Sequence, residues 1–125
     1  MDSLLAPCRA KALAEWPQAR QRLLAGLPDR QRMFVVTRLY DSNNAMEQVF
    51  VLVERIEGDH VIGRLYSRMG TVAGYQWGQA LEVKENEIYD WMIARPDGTE
   101  EGNWTGKFID ELNASGTPSP RICAP

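Results

Sequence analysis

Apolar side chains recur along this chain in two rhythms. In the first, Ala12, Trp16, Ala19, Leu23 and Leu27 fall three or four residues apart and form one stripe, which predicts a helical segment over 8–27. Arg9, Gln18, Arg20 and Arg22 fall off that stripe. Pro17 lies inside the pattern and removes a backbone hydrogen bond. The expected arrangement is therefore a short segment before it and a main helix from about 17 to 25, ended by Gly26 and Pro28. The second rhythm starts after Asp29, where 33–40 (MFVVTRLY) is β-branched and aromatic. Turn chemistry at Asp41-Ser42-Asn43-Asn44 separates it from 46–56, where Val49, Val51 and Val53 occupy one face and Phe50 and Leu52 the other. That strand reads as buried on both sides. Gly58 and Asp59 suit a tight turn into 60–66 (HVIGRLY), so 46–66 is the clearest hairpin.

The remainder is shorter-grained. Residues 67–79 (SRMGTVAGYQWGQ) read as a flexible loop, with Gly70, Gly74 and Gly78 four apart but no nucleotide-binding fingerprint. Strands are expected at 80–84 and 89–95, with a turn or single helical turn at 85–88 between them. After Pro96-Asp97-Gly98, 103–108 reads as a last strand, or 108–112 as the start of a short helix. A helix followed by five to six short, closely connected strands gives an α+β fold. The sheet, over 33–108, should be mostly antiparallel and strongly curved, or a small partly open barrel, with the N-terminal helix packed on it. One domain over 1–112 and a flexible tail over 113–125 are expected, because the tail is Pro-rich and has no periodicity.

Composition narrows the function classes. The net charge of −3 argues against a dedicated nucleic-acid binder. It hides an asymmetry: residues 1–38 carry seven Lys/Arg against three acids, and residues 39–125 seven against fourteen. A basic helix attracted to an acidic sheet is the simpler reading, and two faces for two partners the other. No apolar run approaches the roughly 20 residues of a membrane span. Cys8 and Cys123 lie near opposite ends; a bridge between them is geometrically possible, but with no other sign of a secreted scaffold free thiols are expected. The default placement is cytoplasmic.

Candidate chemistry is sparse. His60 is the only His and neither Cys has a partner at metal-binding spacing, so no metal site is expected. The same scarcity argues against a nucleophilic triad. Asp90 sits between Tyr89 and Trp91 in an apolar strand. Buried, it must be hydrogen-bonded and shifted in pKa; its expected role is to accept backbone N–H groups and fix the 85–88 turn, with binding or acid–base roles left open. Tyr66, Tyr75, Trp77, Tyr89, Trp91 and Trp104 crowd the second half. They either fill a core poor in Leu and Ile, Trp91 above all, or display an interface. The candidate contact residues are Tyr75, Trp77, Tyr66, Arg68 and Trp104.

Several stretches also share a resemblance. Residues 56–65, with Gly58-Asp59 and Gly63, are followed by Gly78-Gln79-Ala80-Leu81-Glu82-Val83, then by Glu87-Ile88-Tyr89-Asp90-Trp91-Met92, then by Asp97-Gly98, Gly102 and Gly106. In this order they resemble the YegJ-type domain, a bacterial family of unknown function. The resemblance implies a small bacterial α+β domain that is not an enzyme, with Asp90, Trp91, Gly58, Gly63 and Gly78 as its structural signature. The function expected is a non-enzymatic interaction module without cofactor, a monomer or weak homodimer, whose partner is a protein and whose contact surface is loop 67–79. The acidic sheet would steer it toward a basic partner. The alternatives are an immunity protein that neutralises a bacterial toxin, by analogy with other small acidic domains, and a carboxylate-based enzyme.

Overall fold

A computed structural model of the chain describes residues 2–116 and 122–123. Helix α1 spans Asp2–Ala25 without a break at Pro7 or Pro17. A single 24-residue helix therefore replaces the two segments expected around Pro17. The reason is packing: Ala12, Trp16 and Ala19, on both sides of Pro17, are buried against the sheet. That contact outweighs a lost bond and a ring clash worth about 3 kcal/mol in an isolated helix.

Six strands follow: β1 (Arg32–Tyr40), β2 (Met46–Glu57), β3 (His60–Leu65), β4 (Ala80–Lys84), β5 (Asp90–Ala94) and β6 (Glu100–Gly102). They form one antiparallel sheet in the order β4-β3-β2-β1-β5-β6. The edges β4 and β6 are not joined, so the sheet stays open rather than closing into a barrel. A 3-10 turn, Glu85–Glu87, links β4 to β5. Helix α2 (Trp104–Ser115) then occupies the stretch where a final strand over 103–108 was one expectation. The strand is the shorter β6 before it, and Trp104, Thr105, Phe108 and Ile109 follow helical spacing.

The register explains which residues meet. Val35 lies opposite Val51 on one side and Trp91 on the other, and Val51 lies opposite Leu65. This face, with Val49, Val61, Val83 and Ile93, receives α1. A bulge between Val53 and Arg55 then shifts the alternation from odd to even numbers, which brings Ile56 to the same cluster. Gly63 stands opposite the bulge; a Cβ there would lie 2.1 Å from the Leu52 carbonyl oxygen, so only glycine fits. The Gly58-Asp59 turn of the expected hairpin is present, with Gly58 at φ +61°.

The opposite face carries Phe34, Val36, Phe50, Leu52, Asp90 and Met92. Helix α2 lies beside its Val36 end, where Thr105 and Ile109 line a cleft together with Val36 and Phe50. Phe108 of α2 packs with Leu5 and Cys8 of α1 in a second cluster. The expected free thiols are corrected here: Cys8 and Cys123 form a disulfide, with Cα atoms 4.7 Å apart, and both are buried. Three residues assigned to the tail from sequence, 113–115, belong to α2. The remaining expectation of a flexible tail falls on 117–121 and 124–125, which lie outside the described residues. Charges on α1 meet acids of the sheet region, with Arg20 on Glu85 at 3.0 Å and Arg22 on Glu101, which also receives Arg95. Among the described residues no helix is long and apolar enough to cross a membrane.

Candidate functional site

The neck of loop 67–79 is closed by backbone bonds. The Leu65 N–H donates to the Gln79 carbonyl, and the Gly78 N–H to the Leu65 carbonyl, both at 2.8 Å. This pairing continues the β3–β4 ladder outward and swings Trp77 back over the face that α1 does not cover. There Trp77 lies tilted against Tyr66 with ring centres 4.5 Å apart. Tyr66 meets Phe34 edge-on at 5.1 Å, and Phe34 meets Phe50 edge-on at 6.2 Å. The Arg32 guanidinium stands 5.6 Å from the ring centres of both Phe34 and Tyr66. Phe34 is buried, Phe50 and Tyr66 are half-buried, and Trp77 is 55% exposed. The result is a run of four rings that ends in an exposed indole, bordered by arginines. Arg64 reaches the Gly78 carbonyl at 3.4 Å and Glu54 at 3.5 Å, and Arg68 is exposed in the same loop.

The body of the loop is held by two carboxylates that sequence reading passed over. Glu47 accepts the backbone N–H groups of Gly70, Thr71 and Val72, at 2.7–3.2 Å. Asp41 accepts those of Asn43 and Ala45 within its own turn, and that of Ala73 across the gap. Both carboxyls are held below the ordinary range by these backbone bonds, those from Val72 and Asn43 foremost. The loop expected to be flexible is thus pinned along 70–73.

The other candidate residues are dispersed. Tyr75 packs against the cluster under α1 and lines a separate cleft with Leu39, Leu81 and Val83. Trp104 donates from its indole to Glu15 at 2.6 Å and lies between the Lys11 and Lys107 ammonium groups, 4.1 and 4.8 Å from the ring centre. It joins α1 to α2 at the opposite end of the sheet order. The structure therefore brings together Tyr66 and Trp77, with Arg68 in the same loop, and places Tyr75 and Trp104 elsewhere.

Asp90 is fully buried, and so is its neighbour Trp91, because β5 is covered on both faces. One Asp90 oxygen receives the Thr105 N–H and hydroxyl at 2.8 and 2.7 Å, and the other the Trp91 N–H at 2.8 Å. Burial pushes its carboxyl up, and the bonds from Thr105 oppose that shift. Asp90 thus accepts backbone N–H groups as expected, but those of Thr105 at the start of α2 and of Trp91 in its own strand, not those of the 85–88 turn. That turn is held instead by the Thr37 hydroxyl, which donates to the Glu87 carbonyl, and by the Tyr89 N–H, which donates to Val36. Among the described residues no three His, Cys, Asp or Glu side chains converge as a metal cage would.

These signature positions bear on kinship. The family model for uncharacterised proteins conserved in bacteria, DUF2314, matches residues 13–115. The chain belongs to this family. No curated protein and no solved structure was found to match it. The matched DUF2314 region takes in the whole sheet, Asp90, the ring run from Phe34 to Trp77, and α2 to its last residue. Asp2, Arg9 and both cysteines lie outside it.

Proposed function

We propose that this DUF2314 member is a non-catalytic binding module that docks an acidic segment of another protein on the face formed by Trp77, Tyr66, Phe34 and Phe50. One observation carries the reading: Trp77 is more than half exposed, yet it is held in place by Tyr66 and by a loop pinned at 70–73. A core-filling Trp would be buried, as Trp91 is. A rigid, half-wet indole at the end of a ring run is the chemistry of an interface anchor. Arg32, beside the Phe34 and Tyr66 rings, and Arg64, at the Gly78 carbonyl, favour an acidic partner, in contrast to the basic one that the overall charge suggests. The Ile88-Tyr89-Asp90-Trp91-Met92 run supports the finer reading that the chain is of the YegJ type.

The test uses the full chain as bait in a bacterial extract, followed by affinity measurement with the purified captured protein. Trp77→Ala should weaken binding at least tenfold and Arg32→Glu should weaken it further, while Trp77→Ala leaves the melting temperature within a few degrees of wild type. Unchanged affinity in Trp77→Ala contradicts the proposal. So does a large fall in melting temperature alongside the loss, which would make Trp77 part of the core.

A further inference from the structure

Strand β5 begins at Asp90, opposite Val36, so the Thr37–Tyr40 part of β1 has no strand on that side. The first turns of α1 and the segment before β5 border the gap. Arg9, Thr37, Arg38, Tyr40, Glu87 and Tyr89 line a cleft there of about 290 Å³. The buried Tyr89 ring organises it: the Arg9 guanidinium lies 4.6 Å from the ring centre and that of Arg38 4.2 Å. Stacking occupies the flat face of a guanidinium and leaves its N–H edges for a planar or tetrahedral oxyanion.

Arg38 shows how those edges are used. Its Nε donates to Gln48, and its Nη1 and Nη2 donate to the two carboxylate oxygens of Asp2 at 3.2 and 2.8 Å. Asp2 belongs to the first turn of α1 and its side chain is largely exposed. The chain's own carboxylate therefore sits on Arg38 as an oxyanion ligand would. Arg9 has a ring contact but no hydrogen bond or ion pair among the described residues. The acid that lines the cleft itself is Glu87, whose Oε1 accepts the Lys84 N–H. With Asp2 displaced, two guanidiniums would face the one remaining carboxylate of the cleft, that of Glu87.

We propose that this cleft binds the dianionic phosphate group of a small molecule, and that the ligand displaces Asp2 from Arg38. The volume lies near the lower end of small-ligand pockets, and bidentate guanidinium donors suit phosphate oxygens. This site is separate from the Trp77 face, and either can fail without the other.

The experiment titrates the full, isotope-labelled chain with inorganic phosphate and with phosphoserine at matched ionic strength, read by NMR. Shifts should concentrate on Arg9, Arg38 and Tyr89. Arg9→Gln should weaken binding about tenfold, and Arg38→Gln more. Asp2→Ala should tighten binding severalfold by removing the internal competitor, and Arg55→Gln should leave it unchanged. A preference for phosphoserine assigns the site to phosphomonoesters; equal binding assigns it to phosphate itself. Asp2→Ala that binds no more tightly than wild type overturns the proposal, as do shifts spread equally to Arg55. Because Arg9 lies on an exposed helix surface, its variant keeps the test valid even where Arg38→Gln disturbs folding.

Discussion

Asp90 is the residue at which burial and hydrogen bonding compete most directly. Its carboxylate is removed from water, which costs free energy, and it is retained because Thr105 and Trp91 supply three donors. Asp90→Ala leaves the Thr105 N–H and hydroxyl without their acceptor in a buried site and should destabilise the fold by about 2–4 kcal/mol. Asp90→Asn keeps one acceptor and should cost less. The pH dependence has a definite sign. The folded-state pKa is raised above the unfolded value near 3.8, so the native state holds the proton more tightly. The contribution of Asp90 to stability should therefore decline as pH rises from 3.8 through the raised value. Denaturant melts of wild type and Asp90→Asn across that window check this; a difference that grows with pH would contradict it. The type of role was legible in the sequence, since an acid between Tyr89 and Trp91 in an apolar strand has to be bonded or exposed. Its partner was not legible, because Thr105 is fifteen residues away and joins Asp90 only through the α2 contact.

At the scale of elements, the loop 67–79 matters most. Its glycines suggest mobility, but Glu47 and Asp41 convert part of it into a fixed platform for Trp77. Glu47→Ala should free the Gly70, Thr71 and Val72 amides, seen as faster hydrogen exchange at those positions with the β1–β2 ladder unchanged. Because the folded-state pKa of Glu47 is lowered, its anchoring is present above the ordinary value of 4.5 and is lost as pH falls through the lower folded value. The three amide signals should shift together in that acid range; independent titration would argue against a shared acceptor. Strand existence and the 58–59 turn were readable from period-two alternation and turn residues. The loop anchors were not, because carboxylates 23 to 32 residues upstream leave no local pattern. The continuity of α1 through Pro17 was missed for a related reason: local propensity argues for a break, and only the sheet beneath Trp16 and Ala19 overrides it.

For the whole molecule, two features govern stability and exposure. The Cys8–Cys123 bond ties the first helix to a residue 115 positions later, and it packs with Phe108 and Leu5. Such a bond persists in oxidising surroundings. Protein purified without reductant should show no titratable thiol when denatured and two after reduction, and reduction should lower stability by about 2–4 kcal/mol. Two thiols before reduction would contradict the bond. The α+β class and the antiparallel sheet followed from short connections in the sequence. The open edge-to-edge order depends on long-range pairing between β1 and β5, which periodicity does not encode. The loop between β3 and β4, closed at its neck by the Leu65–Gln79 and Gly78–Leu65 backbone bonds, divides the aromatic residues, with Tyr75 packed on the cluster under the helix and Trp77 on Tyr66 of the other face. In the proposed reading the Trp77 face is where a partner docks, and NMR of the labelled chain with the captured partner reads that contact residue by residue. The Trp77 indole, the Tyr66 and Phe50 rings and Arg32 should broaden or shift first. A footprint confined to α1 and α2, with the Trp77 indole signal unmoved, would contradict it.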